Sequence, residues 1–200
     1  MPVDQKTDAI VKAARKTFLA HGFDAASMDQ IALEAAVSKR TVYNRFRSKE
    51  ELFGAAIEDT CRKVLPVNVD EIESSLPPGE LLLQLSLEFV KGILLDPEAL
   101  SLRRIAAFEA ERTPAIGQSY LAHGPQWMVK KYAPILARLS AKGVLKIDDP
   151  EAAIWQLGAL ITEPLYTHAL LGAAPKDLDA AITKQVTGGV TAFLKLYAEE

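Results

Sequence analysis

The chain has 200 residues, 49% hydrophobic and 24% charged, with 26 acidic against 23 basic side chains and a single cysteine. That composition fits a folded protein with ample chain for a core and argues against disorder, while a lone Cys61 excludes an internal disulfide and points to a reducing compartment. No stretch reaches the roughly 18 apolar residues of a membrane span, and the charge-studded start lacks the apolar core of a signal peptide, so the expected setting is cytoplasmic.

In chain order, Ile10, Ala14 and Phe18 share one face of a predicted helix over 7–20, which Gly22 ends. Ser27-Met28-Asp29-Gln30 is a capping-box pattern that starts a second helix, and Ser48-Lys49-Glu50-Glu51 repeats it before a fourth. Between them lies a short helical segment that Ser38 can cap. Residues 28–46 therefore read as two helices with a tight joint, Ile31, Ala32 and Ala35 inward on the first and Val42 and Phe46 inward on the second. This is a helix-turn-helix, whose second helix is held out to enter the major groove of duplex DNA.

Charge follows the same division. Residues 1–50 carry nine Lys/Arg against six Asp/Glu, a net of +3, and the remaining 150 carry 14 against 20, a net of −6. From 39 to 49, Lys39, Arg40, Arg45, Arg47 and Lys49 stand with no acid among them. Local fields of this kind, and not the whole-chain sum, govern phosphate binding.

The fourth helix is expected to end near Leu65, because Pro66 forbids continuation, and residues 67–79 read as a linker. Further helices are predicted over 80–95, 98–111, 126–142, 151–171 and 177–197. Asp96-Pro97, Thr113-Pro114 and Asp149-Pro150 pair a capping side chain with proline at the first helical position. Pro134 and Pro164 are expected to kink or interrupt their helices. No alternating strand pattern, hairpin signal or repeat appears. The expected fold is all-α with about nine helices: a helix-turn-helix domain over 1–65 and a larger helical domain over 66–200.

The linked set Gly22-Phe23, Ile31-Ala32, Val37-Ser38, Thr41-x-Tyr43 and Phe46-x-Ser48-Lys49-Glu50-Glu51-Leu52 resembles the DNA-binding domain of TetR-family transcriptional regulators over about residues 8–58. The resemblance implies roles for ten residues. Ser27 and Met28 start the supporting helix, whose N-terminus meets a phosphate. Lys39 and Arg40 face bases, while Ser38, Thr41, Tyr43 and Asn44 supply groove and backbone contacts. Arg45 is a further backbone contact and Lys49 the phosphate anchor. Ala36 departs from the glycine common at the turn.

The stretch from Leu102 to Ile161 is similar to the AefR-like subset of these regulators, which implies a small, largely apolar effector and a homodimer on a palindromic operator. Candidate pocket residues are Phe89, Phe108, Trp127, Met128, Tyr132, Trp155, Tyr166 and His168, although such side chains line cores as readily as pockets. The dimer face is expected along Leu157, Ile161, Ile182, Val186, Gly189 and Phe193, with Gly188-Gly189 admitting a close helix. The function implied is that of a ligand-responsive repressor on the bacterial nucleoid. The alternative is a ligand-independent architectural or division-linked protein on the same fold, which an apolar pocket in the second domain would disfavour.

An enzyme is not expected. His21, His123 and His168 are far apart, no metal-ligand spacing or glycine-rich phosphate loop occurs, and no metal or cofactor is called for. Glu109, Glu111 and Glu163 read as solvated or ion-paired glutamates, and Cys61 as inert packing.

Overall fold

A computed structural model of the chain describes residues 5–64 and 76–198, and among them every regular element is a helix. These are α1 (Gln5–Ala25), α2 (Met28–Glu34), α3 (Lys39–Tyr43), α4 (Lys49–Val64), α5 (Pro78–Leu95), α6 (Pro97–Glu109), α7 (Pro114–His123), α8 (Pro125–Ala141), α9 (Pro150–Thr162), α10 (Leu165–Leu170) and α11 (Leu178–Tyr197). Pro66 and most of the expected linker over 67–79 lie outside the described residues. Among those described, no helix is long and apolar enough to cross a membrane.

The boundaries follow local chemistry. Asp149 caps α9, its Oδ1 accepting the Glu151 and Ala152 N–H groups at 3.0 Å each. Asp177 does the same for Ala180 at the start of α11. Thr113 makes no such bond, and α7 begins on Pro114 alone. Pro164 divides the predicted helix over 151–171 into α9 and α10, whereas α8 continues through Pro134.

The chain forms two compact units, and their limits differ from the single expected boundary at 65/66. The first joins the residues up to Arg62 with Glu98–Trp127, and the second joins Lys63–Pro97 with the chain from Met128 onward. In the first unit Ile10, Phe18, Phe23, Ile31, Val42, Leu52 and Phe53 share one core with Leu102, Ala106 and Ile116. Phe18, Phe23 and Phe53 form a ring cluster with centroids 5.3–5.6 Å apart. Arg15 reaches Asp59 on α4 at 2.7 Å and Glu98 on α6 at 3.1 Å.

In the second unit α11 packs against α5 and α9. This packing overturns the expected dimer face. Leu157, Ile161, Ile182, Val186 and Phe193 are all buried in their own protomer, and Gly189 is buried with them. A Cβ on Gly189 would stand 2.5 Å from the Leu160 carbonyl oxygen, so the close helix approach expected at Gly188-Gly189 occurs within the protomer, between α11 and α9. The periodic apolar stripe was legible, and the surface it meets belongs to the same chain.

Candidate nucleic-acid interface

Helices α2 and α3 have seven and five residues, too short to persist alone. Their ends are correspondingly well tied. Ser27 Oγ accepts the Gln30 N–H at 3.2 Å, and Ser38 Oγ accepts the Thr41 N–H at 3.1 Å. At the end of α2, Val37 N–H donates to Ala32 O at 3.0 Å and Ala36 N–H to Leu33 O at 3.1 Å, the Schellman pattern of a helix C-terminus. That pattern places Ala36 at φ +52°, the left-handed conformation in which alanine costs about 1 kcal/mol relative to glycine. The turn is thus built as expected, on a residue less suited to it.

Val42 is fully buried and Phe46 nearly so, which fixes the rotation of α3 and turns Lys39, Arg40, Tyr43 and Asn44 outward. Thr41 is half-buried, and its hydroxyl lies 2.8 Å from that of Ser38. Lys39 pairs with Asp29 across the joint, both side chains more than half exposed, a weak and exchangeable contact. Arg40 is exposed, and among the described residues its guanidinium makes no hydrogen bond or ion pair. A short helix with this outward row can place donors against base edges and phosphates in a groove about 12 Å wide.

Three of the expected contacts are placed otherwise. Met28 is buried. Arg45 is half-buried, and its Nε donates to Thr7 Oγ1 at 2.9 Å. Lys49 Nζ donates to the carbonyls of Phe23, Ala26 and Asp24 at 2.6, 2.9 and 3.1 Å. Sequence reasoning also passed over Leu33, which stands 82% exposed on the outer side of α2. Ile31 and Ala32, the apolar residues whose spacing marks that helix, are buried on its inner side.

The candidate pocket residues are divided between the two units. Phe108 and Trp127 belong to the first unit and the others to the second. Phe108 is 68% exposed and Trp155 51%, and His168 is also exposed, because each lies on the solvent side of its helix. Met128 is buried, and Phe89, Tyr132 and Tyr166 are half-buried. The Tyr132 hydroxyl is sealed from solvent and has no hydrogen-bond partner among the described residues. Burial, and secondarily the charge of Glu88, pushes this phenol well above its ordinary pKa. Glu88 in turn accepts from Gln84 at 2.9 Å.

Glu109 differs from its expected solvated state. It is 6% exposed, and its Oε2 has no partner among the described residues. Glu111 and Glu163 are exposed as expected. Burial, with Glu58 adding to it, pushes the Cys61 thiol up to about 11, so it stays protonated at neutral pH and lacks the reactive thiolate. Among the described residues no group of three or more His, Cys, Asp or Glu side chains is placed to hold a metal ion.

Comparison with known proteins covers both parts of the chain. Residues 10–56 match the family described as bacterial regulatory proteins, tetR family, and residues 80–199 match the AefR-like transcriptional repressor C-terminal domain. The HTH-type transcriptional regulator YhgD of Bacillus subtilis is 42% identical over 78 residues, 38% of this chain and 40% of that protein. Among solved structures, a TetR-family transcriptional regulator from Mesorhizobium loti is 29% identical, covers 97% of both chains and superposes with a TM-score of 0.78. The flavonoid-responsive regulator FrrA is 30% identical over 98% of both chains, with a TM-score of 0.75.

Proposed function

The chain belongs to the TetR family of bacterial regulatory proteins, and from that premise we propose that it is a homodimeric, ligand-responsive transcriptional repressor that binds a palindromic operator. The observation that carries the reading is the outward row Lys39, Arg40, Tyr43 and Asn44 on a helix whose rotation is fixed by buried Val42 and Phe46. A symmetric dimer sets two such helices about 34–36 Å apart, one turn of duplex DNA. Selecting bound sequences from random duplexes is expected to return a palindrome with that half-site spacing. Arg40→Ala should then relax preference at one base pair by about 1–3 kcal/mol. Recovery of no common sequence sinks the reading.

With the inner stripe buried, we place the pairing surface on the opposite sides of α9 and α11, around Trp155, Ala159, Gly188 and Leu196. There Thr183, Thr187 and Thr191 donate their hydroxyls to carbonyls one turn back, which leaves their methyl groups outward on a face suited to another helix. Trp155→Glu should convert the protein to monomer in sedimentation and abolish tight operator binding. The effector is expected in the second unit, where the unpartnered Tyr132 hydroxyl favours a ligand with a polar group in an otherwise apolar setting. FrrA responds to a flavonoid, which makes planar oxygenated aromatics the first compounds to try. Release of DNA with an unchanged distance between labels on the two α3 helices would exclude a change of spacing as the mechanism.

A further inference from the structure

We propose that the ion pair between Asp29 and Lys39 reads a single G·C base pair, which makes Asp29 a specificity-determining residue on α2; this rests on the DNA-binding reading above. The pair spans the joint, from the first turn of α2 to the first residue of α3, and Lys39 Nζ donates to Asp29 Oδ2. Lys39 belongs to the outward row of α3, so the carboxylate is held at the surface that row presents. Both side chains are more than half exposed, and the pair can meet base edges without repacking the head.

A carboxylate at that surface repels the phosphates that the basic run attracts, and phosphate oxygens offer it no donor. A base edge can answer it, because cytosine N4–H is a donor to Asp in the major groove. An ammonium has three N–H donors. One is engaged on Asp29 and two remain, while guanine sets two acceptors, O6 and N7, side by side. The G·C edge thus presents adjacent acceptors beside a donor, and the ion pair presents a cation beside a carboxylate whose Oδ1 can still accept. An A·T edge places its amino donor between acceptors on two different bases, which breaks that match. Lys16 and Glu34 form a second exposed pair, but Glu34 is the last residue of α2 and its partner stands on α1, away from the row on α3.

The test selects bound sequences from random duplexes with the full chain as wild type, Asp29→Asn, Lys39→Met and Glu34→Gln. Wild type should return G·C at one position of each half-site. Asp29→Asn and Lys39→Met should each weaken that preference about tenfold, at that position and nowhere else. Preference kept at the remaining positions shows in the same data that both heads are folded. Asp29→Asn should also bind a duplex lacking the selected site about fivefold more tightly, because each protomer loses a carboxylate that opposed phosphate and held Lys39. Glu34→Gln removes the same charge from the same helix and should relax no position. Different positions relaxed by the two variants, a shared position that is not G·C, relaxation at every position, or an unchanged preference in Asp29→Asn overturns the proposal. So does a Glu34→Gln that relaxes the same position. A wild type that returns no common sequence refutes the DNA-binding reading itself, and this inference with it.

Discussion

The first unit and the second hold their helices by different means. Around α2 and α3, helices of seven and five residues depend on named polar ties: the Ser27, Ser38 and Ser48 caps, the Schellman turn and the Lys49 bonds to the carbonyls of Phe23, Asp24 and Ala26. In the second unit α11 has 20 residues and depends on continuous apolar burial along Ile182, Val186, Val190 and Phe193. Precision resides in different places in the two. A reading head needs a defined orientation for a few side chains, and single bonds can set it. A long helix is held by summed contacts, and only a position of closest approach makes it brittle.

The largest expected effect tests whether the head also needs a core. Phe53→Ala opens the three-ring cluster and should cost about 4 kcal/mol in urea unfolding. Trp127 lies in the first unit and Trp155 in the second, so Trp155→Phe and Trp127→Phe backgrounds report each unit separately. Next, Gly189→Ala drives a Cβ into the Leu160 backbone and should cost about 3 kcal/mol. Gly188→Ala, with nothing within 4 Å of the added atom, should instead gain about 0.5 kcal/mol. Measuring both in the Trp155→Glu background removes any contribution from pairing, and equal effects would break the contrast.

An intermediate effect comes from Cys61. Its folded pKa of about 11 stands above the ordinary value of 9.0, so its contribution is intact below about pH 9 and lost as the pH rises through about 11, about 3 kcal/mol at most. Cys61→Ala should show less alkaline loss over that window in urea titrations at stepped pH, and identical pH profiles would reject the burial argument. Smaller again, Ser38→Ala should cost about 1 kcal/mol through the lost cap of α3. The smallest change runs the other way. Ala36→Gly relieves the left-handed strain and should gain about 0.5 kcal/mol net of glycine's greater freedom when unfolded. A loss in thermal melts would show that the turn is not strained.

How much could be read from sequence depended on distance along the chain. Ser27 with Gln30, Ser38 with Thr41 and Ser48 with Glu51 are three residues apart, and each cap formed as its pattern foretold. The helix-turn-helix was legible for the same reason. Lys49 lies 23 to 26 residues from the carbonyls it meets, and a sequence displays the cation without its acceptors. The stripe on α11 was equally clear, but periodicity states only that a face is covered, never whether the cover is the same chain or another. Phe108 and Trp155 are exposed, and an aromatic residue's type carries no information about which side of a helix faces in.

The first unit is assembled from two stretches of chain, and Leu102, Ala106 and Ile116 complete a core begun by Ile10 and Phe18. During synthesis the reading head therefore cannot close its core when α4 leaves the ribosome. It waits for α6 and α7, with Phe53 and its neighbours uncovered in the interval, the period in which a chaperone has most to hold. For the engineer the same topology sets a rule of grafting: a head moved to another regulator must carry residues 98–127 with it, or arrive without part of its core.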